Sequence, residues 1–134
     1  MPARHLTTGR EGEALAADLV LEKGWRIVER NFRCSGGELD LICEDGQTLV
    51  FVEVKTRSGA VRGEPGEAVG RAKVRRLVRA ASEYLSCHKS WDRPCRFDLV
   101  SVIMRDGETT VEHWEDIIDA RDGLDSRHTS WQPW

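Results

Sequence analysis

The chain has 134 residues, enough for one domain with an ordinary hydrophobic core and too few for two. Hydrophobic residues are 40% and charged ones 32%, which excludes a bilayer protein and a wholly disordered chain. The net charge of -3 conceals a division: residues 1–54 carry -4, residues 55–79 carry +6 and residues 80–134 carry -5. An acidic protein with one basic block suggests a polyanionic partner, although a solvated helix face has the same look.

No apolar run reaches the roughly 18 residues that a bilayer span needs. The opening stretch MPARHLTTGREGEALAADLV lacks the charged, apolar, small-residue order of a secretory signal. The expectation is a cytoplasmic protein with no membrane partner. Cys34, Cys43, Cys87 and Cys95 form no metal-binding spacing and read as reduced thiols.

Thr8-x-x-Glu11 has the form of a capping box, so the first helix is expected over residues 9–23, ending at Gly24. Its polar arc holds Glu11, Asp18 and Glu22, while Leu15, Ala16, Ala17, Leu19, Val20 and Leu21 fill the rest. Glu13 lies within that apolar arc, a carboxylate on the wrong side. Three strand-like runs follow: WRIVERNFRC, ELDLIC and TLVFVEVKTR. Ser35-Gly36-Gly37 separates the first two and Asp45-Gly46, a strong hairpin signal, the second and third. The charged loop SGAVRGEPGE leads to a helix over residues 67–85, with the stripe Val74, Leu77, Val78, Ala81, Tyr84 and Leu85. Strands over residues 96–104 and 109–114 are joined by Asp106-Gly107. The reading is one α/β domain over residues 1–119, order αβββαββ, with a central mixed sheet flanked by helices. A polar tail, residues 120–134, completes the chain.

In TLVFVEVKTR, alternation puts Glu53 and Lys55 on one face of an otherwise apolar strand. A symmetric turn centred on Asp45-Gly46 sets Asp40 opposite Phe51, on the same face as Glu53 and one diagonal step away, roughly 6–8 Å. Two carboxylates about 4–5 Å apart repel by roughly 3–4 kcal/mol at the effective dielectric near a protein surface. Lys55 offsets part of this, and Glu13 adds to it if its helix packs there. Three acids and one base suit a divalent cation better than a structural ion pair, and all-oxygen ligands favour Mg²⁺ or Mn²⁺.

These residues make the chain resemble the PD-(D/E)xK nuclease superfamily, with its acidic residue followed by acid-x-lysine on the next strand. GREGEALA, RNFRCSGGELDLI, LVFVEVKTR and FDLV together resemble the YraN-like bacterial family, similar in fold to archaeal Holliday junction resolvases. One departure is Leu39, where many members have proline. The resemblance implies a restriction-endonuclease-like core that hydrolyses DNA phosphodiesters, with structured or branched DNA as the favoured substrate. Asp40 and Glu53 would be metal ligands, with the Val54 carbonyl as a further donor. Lys55 would be the catalytic lysine, orienting water or meeting transition-state charge. Glu13 would be the helix acid of resolvase-type members, holding the attacking water or a second ion. Resolvase-like relatives work as dimers, so a homodimer is expected on the same ground, although the sequence offers no convincing apolar dimer patch.

Arg71, Arg75 and Arg79 recur every four positions on the second helix, with Lys73 and Arg76 adjacent and Arg57 and Arg62 before it. Such residues position phosphates without reading sequence. The plainer readings are exposed strand acids paired with Lys55, a Glu13 satisfied by Arg10, and a merely solvated arginine stripe. Asp98 either shares the acidic site or ends a strand. The alternative function is a non-catalytic nucleic-acid-binding or scaffold protein that keeps the fold; the presence of Glu13, Asp40, Glu53 and Lys55 together leans toward the enzyme.

Overall fold

A computed structural model describes residues 4–58 and 70–118. It contains α1 (Arg4–Glu22), β1 (Arg26–Cys34), β2 (Gly37–Asp45), β3 (Thr48–Ser58), α2 (Arg71–Cys87), β4 (Cys95–Arg105) and β5 (Glu108–Trp114). The order αβββαββ is the expected one. Helix α1 starts earlier than Thr8, so Thr8-x-x-Glu11 lies inside the helix and does not cap it. Its end does fall at Gly24, where Trp25 N–H bonds Val20 O and Gly24 N–H bonds Leu21 O, closing the last turn. The expected tail and the start expected for the second helix lie outside the described residues. No described helix is long and apolar enough to cross a membrane.

The five strands form one sheet in the order β1-β2-β3-β4-β5. Only β3 and β4 are parallel, because α2 forms part of the crossover between them. As the central strand, β3 is covered on both faces, which explains its near-continuous apolar run. Leu49, Phe51 and Phe97 pack with Val74, Leu77, Val78, Tyr84 and Leu85 of α2. Val50, Val52, Val100 and Val102 pack with Ala16 and Val20 of α1 on the reverse face.

The β2–β3 hairpin corrects one expectation. Asp45 pairs with Thr48 and Leu41 with Val52, so the loop is Gly46-Gln47 rather than Asp45-Gly46. Gly46 takes the positive φ of 62° that the first loop position of a II′ turn requires. The register therefore moves by two residues, and its continuation sets Asp40 opposite Glu53 instead of Phe51. A shift of two keeps the paired residues, 41–45 and 48–52, on their predicted faces.

Candidate active site

Beyond the Leu41–Val52 pair the regular β2–β3 ladder stops, and a side chain takes over. The Val54 N–H donates to Asp40 Oδ2 at 2.8 Å. Leu39 packs on the α2 side and Leu41 on the α1 side, although strict alternation would give them one face. The chain thus turns over at Asp40. Opposite it, between the pairs Arg30–Leu41 and Phe32–Leu39, Asn31 has a φ of 53°. In an extended strand the N–H and C=O of one residue leave by the same edge, so the Val54 carbonyl also faces this opening.

Asp40 and Glu53 meet there. Burial pushes the Asp40 carboxyl up to about 7, and the Glu53 charge adds to the rise. The hydrogen bond from Val54 opposes it. Glu53 itself is buried. Its cation is Lys73 of α2, with Nζ 2.9 Å from Oε2, so Lys73 neutralises a strand acid where the sequence suggested a phosphate contact. Lys55, which was expected to offset this charge, is exposed.

Glu13 approaches Asp40 from α1. Gly12 seats the helix: a Cβ there would lie 2.0 Å from Thr56 Oγ1, so any larger residue requires Thr56 or α1 to shift. Burial holds the Glu13 carboxyl above its ordinary value and the Asp40 charge adds to this, while a hydrogen bond from the Asn31 side chain opposes both. Among the described residues no three acidic, histidine or cysteine side chains close around one point. Asp40 and Glu53 are the adjoining pair, and Glu13 stands beside Asn31.

The basic residues divide between two settings. Arg71, Arg75, Arg76 and Arg79 are exposed on α2, and Arg57 is half-buried at the end of β3. Arg62 lies outside the described residues. Gly36 and Gly37 do more than turn the chain: a Cβ on Gly36 would meet Arg79 Cδ at 1.8 Å, and one on Gly37 would meet the Arg76 carbonyl oxygen at 2.4 Å. The β1–β2 hairpin therefore lies directly on α2.

Asp98 does not join the acidic pair. It is fully buried and aligned with Val52, on the α1 face. Arg96 Nε donates to its Oδ1 at 3.0 Å, Asp116 N–H to the same oxygen at 2.9 Å, and His113 Nε2 lies 2.7 Å from its Oδ2. Trp25 adds an edge contact to His113 at 5.3 Å and lies under the Arg96 guanidinium at 5.2 Å. The histidine pattern gave no warning of this cluster; the one signal was a carboxylate inside the apolar run CRFDLVSVIM.

A family model described as "Uncharacterised protein family UPF0102" matches residues 12–102, which contain Glu13, Asp40, Glu53 and Lys55. A UPF0102 protein of Nitratidesulfovibrio vulgaris (strain DP4) is 49% identical over 132 residues, covering 98% of each chain. Another from Anaeromyxobacter dehalogenans is 50% identical over 106 residues, 79% of each chain. One from Symbiobacterium thermophilum is 55% identical over 94 residues, 70% of this chain and 80% of its own. With the family model spanning most of the sheet and a relative matching almost end to end, the chain belongs to the uncharacterised protein family UPF0102.

Proposed function

We propose that the protein is a divalent-metal-dependent nuclease of the PD-(D/E)xK type, with a restriction-endonuclease-like core, that hydrolyses DNA phosphodiesters. The observation that carries this reading is the adjoining of Asp40 and Glu53 at the parting of β2 and β3. Folding places one carboxylate against another, at a cost in electrostatic energy that an ordinary ion pair would avoid.

The donors fit a hard cation. They are all oxygen, they carry surplus negative charge, and the Val54 carbonyl faces the same opening. When bound by Asp40, Glu53 and the Val54 carbonyl, Mg²⁺ or Mn²⁺ supplies Lewis acidity toward a phosphoryl oxygen and a water of lowered pKa. Val54 N–H fixes the Asp40 carboxylate by holding Oδ2. Lys55, exposed beside Glu53 on β3, orients the attacking water or meets charge developing on the phosphate oxygens. Glu13 holds the attacking water from the α1 side. The exposed arginines of α2 position phosphates and read no sequence.

A second reading has one observation in its favour. Lys73 already neutralises Glu53, as the resident cation of a non-catalytic DNA-binding scaffold would. One experiment separates them: purified protein with Mg²⁺ or Mn²⁺ and a panel of linear, flapped and four-way DNA. Cleavage that disappears in Glu53→Gln supports the nuclease. Binding of these substrates without cleavage of any supports the scaffold.

A further inference from the structure

Beside the acidic pair a cleft of about 540 Å³ opens between the β1–β2 hairpin and α2. Arg33, Lys73 and Arg76 line it with one acid, Glu38, which is engaged with Arg33 at 3.2 Å. Gly37 brings the hairpin onto the backbone of α2 and so sets the width of the cleft. Lys73 belongs to both places, since it lines the cleft while its Nζ rests on Glu53. Lys73 therefore stands at the boundary between the cleft and the acidic site.

We propose that this cleft carries the phosphodiester backbone of a single nucleic-acid strand, the unpaired arm of a substrate whose scissile phosphate sits at Asp40 and Glu53. The identity of that substrate rests on the nuclease reading; the chemistry of the cleft does not. With Glu38 on Arg33 and Glu53 on Lys73, the three cations leave one net positive charge among the described residues here, which suits the phosphate of a polyanion. Clefts of roughly 300–1,000 Å³ take small ligands, so this one has room for one nucleotide unit and none for a duplex. Among the described residues no aromatic side chain lines it, so the contacts it offers are to phosphate and not to stacked bases. A strand that enters must also meet Lys73, and the lysine then exchanges Glu53 for a phosphate oxygen as the site fills.

The cleft contains its own reporter. Cys34 lines it, and Cys87 is exposed at the far end of α2. In EDTA, where no divalent ion supports cleavage, the full chain is alkylated with a maleimide. The reaction is run alone, with a short blunt DNA duplex, and with the same duplex bearing an unpaired arm. The armed DNA is expected to slow alkylation of Cys34 about tenfold and leave Cys87 unchanged, while the blunt duplex protects neither. The double variant Arg33→Ala/Arg76→Ala is expected to lose about tenfold in affinity for armed DNA and about twofold or less for blunt DNA. Arg71→Ala/Arg75→Ala, outside the cleft, is expected to weaken both alike. Armed DNA that binds while Cys34 stays fully reactive overturns the proposal, as does equal protection by blunt duplex. A protein that protects Cys34 and cleaves nothing keeps the cleft and loses the nuclease; one that cleaves and leaves Cys34 open does the reverse.

Discussion

Lys73 Nζ lies 2.9 Å from Glu53 Oε2, so the cation that neutralises the strand acid comes from the helix on the α2 face. On the nuclease reading, a divalent ion that binds Glu53 Oε2 competes with that ammonium. Lys73→Met takes from a buried carboxylate beside Asp40 the cation that the described residues give it, a cost of about 1–2 kcal/mol that is moderated by the partial exposure of Lys73. Saturating Mn²⁺ is expected to raise the melting temperature of Lys73→Met more than that of the wild type, because the ammonium no longer competes for Glu53. Thermal melts with and without Mn²⁺ read this out. An equal or smaller rise in the variant contradicts competition for the carboxylate.

Asp40 carries a stability penalty that depends on pH. Its carboxyl rises from 3.8 to about 7 on folding, so the folded chain holds that proton more tightly than the unfolded one. The associated stability is full below about pH 4 and is lost as pH rises through about 7. Asp40→Asn removes the titration and keeps an oxygen for the Val54 N–H. In metal-free buffer the variant is expected to be more stable than wild type by on the order of 1–3 kcal/mol at pH 8, with a much smaller gap at pH 5. Urea titrations at the two pH values check it; a gap that does not widen with pH is the contrary result.

Gly37 and Gly9 predict opposite responses to one methyl group. At Gly37 the added carbon meets the Arg76 carbonyl oxygen at 2.4 Å, a backbone atom that cannot yield without moving α2. Gly37→Ala is expected to cost about 2–3 kcal/mol. Gly9 lies in α1 with nothing within 4 Å of the new carbon, so Gly9→Ala is expected to stabilise by about 0.5–1 kcal/mol. Chemical denaturation of both variants measures the contrast.

Asp98 supports the fold from the reverse face. Asp98→Ala leaves Arg96, His113 and the Asp116 N–H without their common acceptor and is expected to cost about 3–5 kcal/mol. Mn²⁺ affinity, measured by calorimetry at low temperature where the variant remains folded, is expected to match wild type. A clear loss of affinity would attach Asp98 to the acidic site after all.

The sequence by itself determined the element order and the packed face of each helix, apart from Leu21, which it placed in the apolar arc of α1 and which is exposed. Each follows from a period, 3.6 or 2, imposed by covalent geometry on whichever apolar residues must be buried. It misplaced the β2–β3 register by two residues, because both registers bury the same side chains and only the loop at Gly46-Gln47 separates them. It gave no sign that the chain turns over at Asp40, since Leu39 and Leu41 are equally apolar and only the helices they meet differ. The Lys73–Glu53 pair and the Asp98 cluster were decided in three dimensions. Charge in a sequence has no direction, and its partner is whichever residue packing brings within reach.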